Sequence, residues 1–212
     1  MKNSDEEKYG IVALASGNGT NLQAIIDNEK KGKLNGRVIA VISDRKDATA
    51  LKRAEAHGIP GIYVGKFSGE SRDSYSRRIG QAVSEYSPDM VILSGFMRIL
   101  TKPFFDIIKV PVLNIHPALL PCFGGKGMYG MHVHEAVISS GAMYSGCTVH
   151  LVTPEVDSGP VIIQKIVDVM DNDTPESLAA RVLEKEHVAY TEAINIICEG
   201  NYKVINNRVV KM

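Results

Sequence analysis

Asn114 and His116 stand two residues apart at the end of an apolar run, Val110-Pro-Val-Leu113, and Pro117 follows them directly. The run reads as a buried strand. Side chains two apart on a strand point the same way, so the amide and the imidazole share one face. Pro117 stops the strand and fixes the exit of the chain. Open parallel sheets hold their ligands just outside such carboxyl ends. An amide donor and a titratable ring side by side at that place suit acyl-type transfer: the amide can bind a developing oxyanion and the ring can move a proton. Each residue alone has a plainer use, as a turn cap or as a hydrogen-bonded structural histidine. The ring is expected to end a strand rather than to fill a core.

Asp157, in the segment Asp157-Ser-Gly-Pro160, is the third candidate. A carboxylate in a loop after a strand is ordinarily a turn former. A loop folded back over the strand ends would bring it to His116, where it would favour the imidazolium and make the ring a competent acid near neutrality. A second constellation is Ser16-Gly-Asn-Gly-Thr-Asn21, between an apolar run and a helix-like stretch. Its glycines let the backbone turn sharply, and a helix start offers N–H groups and a positive dipole end to an anion. Thr20 and Asn21 can cap and donate as well. Leu22 occupies the place of the third glycine of a dinucleotide fingerprint, and no Gly-Lys-Ser/Thr follows as in a P-loop. A phosphate site and a tight capped turn both remain open from this segment alone.

The remaining reactive residues divide between function and packing. His132 and His134 alternate in a way that invites a metal, but no third ligand stands at a clear spacing, so no metal is expected. His150, within Thr148-Val-His-Leu-Val152, either faces the site from a strand or is a satisfied core histidine. His57 before Gly58 suits a helix end. Phe96 and Met97 can touch a flat ring or simply pack. Asp44, at the end of the second apolar run, could meet a ribose hydroxyl.

The elements that must carry these groups alternate. Strands are expected over Ile11–Ala15, Val38–Ser43, Ile62–Val64, Met90–Leu93 and Val110–Ile115, with helices over Asn21–Lys31, Ala48–His57, Ser71–Tyr86 and Phe104–Ile108. That pattern predicts an α/β fold with a doubly wound, mostly parallel, Rossmann-like sheet. After residue 117 the character changes. A Gly-rich mobile loop over Pro121–Gly130 precedes a helix over His132–Ser140. Strands over Cys147–Val152 and Val161–Val169 are joined by a link too short for a parallel crossover, so an antiparallel extension is expected in the C-terminal half. Thr174, with Pro175 and Ser177, starts a long helix that ends at Gly200, and a small hairpin turns at Asn206-Asn207. One domain over residues 1–212 is expected, with a phosphate-binding half over 9–116 and a catalytic half over 117–212.

Composition narrows the class. Lys plus Arg equal Asp plus Glu at 24 each in 212 residues, which argues against nucleic acid as the main partner. Apolar stretches are too short for a membrane span. Three dispersed cysteines, Cys122, Cys147 and Cys198, fit neither a disulfide framework nor zinc, and suit a reducing, cytoplasmic setting. Residues 1–8 are polar, unlike a secretory signal, and are read as a frayed leader.

Four segments together, Ser16-Gly-Asn-Gly-Thr-Asn-Leu-Gln23, Ser94-Gly-Phe-Met-Arg-Ile-Leu100, Asn114-Ile-His-Pro-Ala-Leu-Leu-Pro121 and Val156-Asp-Ser-Gly-Pro160, give the chain a resemblance to the phosphoribosylglycinamide formyltransferase family over about residues 9 to 200. The resemblance implies formyl transfer from 10-formyltetrahydrofolate, as co-substrate, to the amine of glycinamide ribonucleotide in purine synthesis. It implies a catalytic group of Asn114, His116 and Asp157. Gly19, Thr20 and Asn21 would hold the phosphate and Glu186 would meet the glycinamide. The folate pocket would be lined by Arg72, Met97, Arg98, Ile99 and Leu100, by Asn114, and by Thr153, Pro154, Glu155, Val156 and Asp157. No metal, nucleic acid or membrane is implied, and the state is monomer or homodimer. The loop Cys122–Met131 is longer and richer in Gly than some members show. The Asn-x-His-Pro and Asp-x-Gly-Pro motifs are shared with formyltetrahydrofolate hydrolases and transfer-RNA formyltransferases, which usually carry a further N-terminal or basic C-terminal domain; the chain's length favours the glycinamide enzyme. The non-catalytic alternative is a nucleotide-binding module that uses only the Ser16–Asn21 loop.

Overall fold

The computed structural model describes residues 8–212, so the expected leader lies, apart from Lys8, outside the described residues. The chain forms two compact units, one ending at Leu113 and the other running Asn114–Met212.

The first unit alternates β1 (Tyr9–Ala15), α1 (Thr20–Lys30), β2 (Gly36–Ser43), α2 (Thr49–Ala56), β3 (Gly61–Tyr63), α3 (Arg72–Ser84), β4 (Met90–Leu93) and α4 (Lys102–Ile107), and β5 (Val112–His116) leads out of it. Its strands lie in the order β3-β2-β1-β4. The β1–β2, β1–β4 and β2–β3 pairs are parallel. This is the doubly wound order, whose direction reverses between β1 and β4. Ile11, Val12, Ala13 and Leu14 are fully buried, as a strand covered on both faces requires. Each buried Leu or Ile contributes roughly 1.5–3 kcal/mol. Leu22, Ile25 and Ile26 put the apolar face of α1 into this core. β5 begins at Val112 rather than Val110. Pro111 has no N–H for a strand ladder, although its carbonyl accepts from the Val91 N–H at 2.9 Å.

The second unit holds the end of β5, then α5 (Met131–Ser139), β6 (Tyr144–Leu151), β7 (Val161–Asp168), α6 (Pro175–Glu199), β8 (Tyr202–Ile205) and β9 (Arg208–Lys211). β6 and β7 are antiparallel, as their short link demanded. β7 then meets β9 in parallel at Val161 and Arg208, and β8–β9 is the expected hairpin, with both turn residues, Asn206 and Asn207, at positive φ. α6 starts in a reciprocal cap: the Thr174 hydroxyl accepts from the Ser177 N–H (3.3 Å) and the Ser177 hydroxyl accepts from the Thr174 N–H (3.0 Å). It ends at Gly200 in the left-handed region. β6 begins at Tyr144, three residues before the expected start. Gly146 reads as a breaker, yet a Cβ there would lie 2.0 Å from the Lys165 carbonyl oxygen across the ladder, so close approach explains the glycine. Among the described residues no helix is long and apolar enough to cross a membrane.

Candidate active site

In the first unit the loop between β1 and α1 leaves the carboxyl end of β1 at the reversal point. Its carbonyls are tied to α2: the Gly17 oxygen accepts from the Ala50 N–H at 3.1 Å and the Asn18 oxygen from Arg53 Nε at 2.8 Å. Gly19 is the N-cap of α1, at φ 66°, and provides no side-chain cap. Thr20 therefore lies inside the helix rather than capping it, and the α1 terminus presents backbone N–H groups as an anion site needs. A Cβ on Gly19 would meet the Ala50 Cβ at 2.9 Å, whereas one on Gly17 would meet nothing within 4 Å. Gly19→Ala is thus expected to lower stability by about 1–2 kcal/mol from left-handed strain, plus the cost of moving α2. Urea unfolding checks this, with Gly17→Ala as the tolerated control.

The segment after β4 is tied to the same loop. The Met97 N–H donates to Ser16 Oγ (2.8 Å), and Ser16 N–H to the Gly95 oxygen (3.1 Å). Arg98 Nε donates to Asp44 Oδ2 at 2.7 Å, where the Asp44 side chain is buried. Asp44 therefore orients an arginine, a use that the strand-end position did not reveal. Arg72, Met97, Arg98 and Ile99 come together around a cavity of about 140 Å³ with Lys66 and Tyr75. Leu100, grouped with them by sequence, is buried (4 % exposed) and does not line it. A larger cavity, of about 230 Å³, lies around Ile26, Lys30, Arg37 and His57 and includes none of the predicted site residues.

The second unit brings Asn114, His116 and Asp157 together. The loop after β6 folds back because Gly159 lies against it: a Cβ there would stand 1.8 Å from the Leu151 carbonyl oxygen. Asp157 takes φ 54°, a left-handed conformation that Asp tolerates better than most residues. Its Oδ2 lies 3.7 Å from His116 Nδ1 and accepts the Gly125 N–H at 2.9 Å. His116 Nε2 lies 2.7 Å from the Phe123 carbonyl oxygen. A carbonyl only accepts, so Nε2 carries the hydrogen and Nδ1 is the titrating atom that faces the carboxylate. The ring is only 4 % exposed, so it does fill a core position as well as ending a strand.

His150 completes the group. By the same rule its Nδ1–H donates to the Leu151 oxygen (2.9 Å), and its Nε2 accepts from Asn114 Nδ2 (3.2 Å). Burial holds its pKa below the ordinary imidazole value. It is therefore neutral near pH 7, and its 3.8 Å approach to Asp157 Oδ1 is not an ion pair. His150 is both readings at once, a satisfied buried ring and the group that orients the amide. Glu186, on α6, is buried. Thr153 through Val156 form the turn ahead of Asp157, with the Thr153 hydroxyl donating to the Glu155 oxygen (3.2 Å) and Pro154, Glu155 and Val156 exposed. His132 and His134 do not act as a pair. His132 is exposed, facing Glu135 and Tyr129; His134 is buried, with its pKa lowered by burial and then by nearby His116. Among the described residues no three His, Cys, Asp or Glu side chains gather as metal ligands would. The thiol of Cys147, on β6, is pushed up to about 12 chiefly by burial, which leaves it protonated and inert.

A doubly wound α/β unit with a glycine-turned helix start, joined in sequence to a mixed unit that holds an amide bonded to one imidazole and a carboxylate within 4 Å of two, defines a Rossmann-like protein equipped for acid–base work on a small ligand. The chain belongs to the formyl transferase family, whose model matches residues 9–194. It is 40% identical over 194 residues to the chloroplastic phosphoribosylglycinamide formyltransferase of Arabidopsis thaliana, covering 91% of this chain and 66% of that one. The chain thus spans slightly less than two thirds of that relative. It is 41% identical over 197 residues to the phosphoribosylglycinamide formyltransferase of Escherichia coli, covering 93% of this chain and 91% of that one. The structure of glycinamide ribonucleotide transformylase 1 from Symbiobacterium toebii superposes with a TM-score of 0.92 at 38% identity, covering 100% of this chain and 98% of that one.

Proposed function

We propose that the chain transfers the formyl group of 10-formyltetrahydrofolate to the amine of 5-phosphoribosylglycinamide, a step of purine synthesis. The observation that carries this reading is the ordered group in the second unit: Asn114 aligned by His150, and His116 facing Asp157 through its titrating nitrogen. The neutral amine attacks the formyl carbon, and negative charge develops on the formyl oxygen. Asn114 has a second amide hydrogen for that oxygen, and protonated His116 stabilises it while Asp157 supplies the counter-charge. One such donor is worth about 2.7–4 kcal/mol in comparable sites. The new C–N bond forms as the π pair moves to oxygen, giving a tetrahedral intermediate; the carbonyl then re-forms as the bond from carbon to the folate N10 breaks. The proton of the attacking nitrogen passes to N10 with Asp157 as relay, directly or through one water. No covalent enzyme intermediate is needed, in keeping with the inert Cys147 thiol.

In the same reading Gly19, Thr20 and Asn21 bind the ribonucleotide phosphate, Glu186 meets the glycinamide amine, and Arg72, Met97, Arg98 and Ile99 of the first unit and Asn114 and Thr153–Asp157 of the second each contact the folate. The 212 residues act as a single formyltransferase domain with a phosphate-binding half and a catalytic half, cytoplasmic, metal-independent, not bound to nucleic acid, and monomeric or homodimeric. The deciding assay supplies 10-formyltetrahydrofolate with and without the ribonucleotide. Formylated product that appears only with ribonucleotide is expected; release of formate without it would favour a hydrolase. Asn21→Ala is expected to raise KM for the ribonucleotide about tenfold, the loss of one charge-assisted hydrogen bond, with KM for the folate little changed. An unchanged ribonucleotide KM would count against the phosphate loop.

A further inference from the structure

The loop Pro117–Gly125 places the groups that hold both His116 and Asp157, and one buried hydroxyl holds the loop. Thr148, on β6, is fully buried. Its Oγ1 donates to the Ala118 oxygen at 2.7 Å and accepts from the Leu120 N–H at 3.0 Å and from Gln164 Nε2 at 3.0 Å. A hydroxyl has one donor and two acceptor sites, so all of its capacity is spent on this loop and its brace. Gln164, the cross-strand partner of Thr148 on β7, gives its other amide hydrogen to the Leu120 oxygen at 2.9 Å. Both backbone groups of Leu120 are thereby fixed. Three residues later comes the Phe123 carbonyl that meets His116 Nε2, and two beyond that the Gly125 N–H that meets Asp157. The Cys122 N–H, bonded to the Leu119 oxygen at 3.0 Å, keeps the intervening turn tight.

We propose that Thr148, braced by Gln164, is a positioning residue for the reaction: its hydroxyl anchors Ala118–Leu120 and so fixes the Phe123 carbonyl that selects the Nε2–H form of His116. This rests on the reading that formyl transfer runs through His116. Without the anchor the carbonyl moves off the ring, both tautomers become available, and the nitrogen facing Asp157 is no longer uniquely the titrating one. Thr148 alternates with His150 along β6, so the same strand that orients Asn114 through His150 orients His116 through Thr148.

The test compares Thr148→Val, which keeps the shape and loses the hydroxyl, with Thr148→Ser, which keeps the hydroxyl. Nitrogen-15 spectra of histidine-labelled protein read the His116 tautomer directly, whether or not the enzyme turns over. A single Nε2–H form is expected in the wild type and in Thr148→Ser, and a mixture in Thr148→Val. Turnover of Thr148→Val is expected to fall about 10- to 100-fold with both KM values within about twofold, the pattern of a misplaced catalytic group, and Thr148→Ser to stay within about threefold of wild type. A Thr148→Val protein with the wild-type ring spectrum and turnover would overturn the proposal. So would a Thr148→Ser protein as impaired as Thr148→Val. Should Thr148→Val fail to fold, Thr148→Ala decides, because it too removes the hydroxyl that bonds Ala118 and Leu120 and adds no bulk. A mixed tautomer supports the proposal, and an unchanged ring overturns it. A wild type that turns over nothing counts against formyl transfer, and the ring spectra still judge the anchor.

Discussion

His116→Ala is expected to abolish formyl transfer to within about 10²- to 10⁴-fold below the wild-type kcat, the usual contribution of a positioned acid or base. The ring faces the carboxylate through the nitrogen left open to a proton, because its other nitrogen is committed to the Phe123 carbonyl. Asn114 cannot stand in because an amide does not titrate, nor His150, whose two nitrogens are spent on Asn114 and the Leu151 oxygen and whose pKa burial holds low. The substitution also removes a buried ring and leaves a carbonyl without its donor, at a cost of about 1–3 kcal/mol. His116→Gln separates the two effects, because its amide can still donate to Phe123 but cannot titrate. Gln is therefore expected to regain much of the stability and none of the turnover. Urea unfolding measured beside steady-state kinetics distinguishes them, and wild-type turnover by either folded variant would end the mechanism proposed above.

Much of the architecture could be read from local pattern. Met90–Leu93 is an unbroken apolar run and forms β4 over those residues. The antiparallel β6–β7 pair follows from a link too short for a crossover, and the Asn206-Asn207 turn from two residues that accept positive φ. What could not be read depends on contacts between residues far apart. Gly146 looks like a strand breaker until the Lys165 carbonyl beside it is known. The parallel contact between Val161 and Arg208 joins segments that no local signal relates.

The site divides the same way. The alternation of Asn114 and His116 on one strand was legible because strand geometry alone dictates it. The meeting with Asp157 was only conditional, because it depends on Gly159 seating against Leu151 and on Gly124 lying so close that a Cβ on it would stand 3.3 Å from the Asp157 Cβ. His150 stayed ambiguous because burial and function are not alternatives for it. Thr148 gave no signal at all: a threonine in a strand is common, and only the loop folded onto it reveals why its hydroxyl is there.

Asp157→Asn isolates the charge of that carboxylate with little else disturbed. Asn matches Asp in size and shares its tolerance for the left-handed backbone at φ 54°. Its amide oxygen can still accept the Gly125 N–H, so the loop keeps its anchor. What disappears is the counter-charge for the imidazolium and the acceptor for the proton of the attacking amine. A fall in kcat of roughly 10²- to 10⁴-fold is therefore expected, with KM for both substrates and the unfolding midpoint close to wild type. Asp157→Ala should behave differently: it adds about 1–2 kcal/mol of left-handed strain and frees the Gly125 N–H, so stability falls along with turnover. If Asp157→Asn kept wild-type turnover, the carboxylate would be a loop anchor only, and the proton of the attacking amine would need another route. If Asn and Ala lost turnover and stability in equal measure, the loss would report collapse of the loop rather than a missing charge.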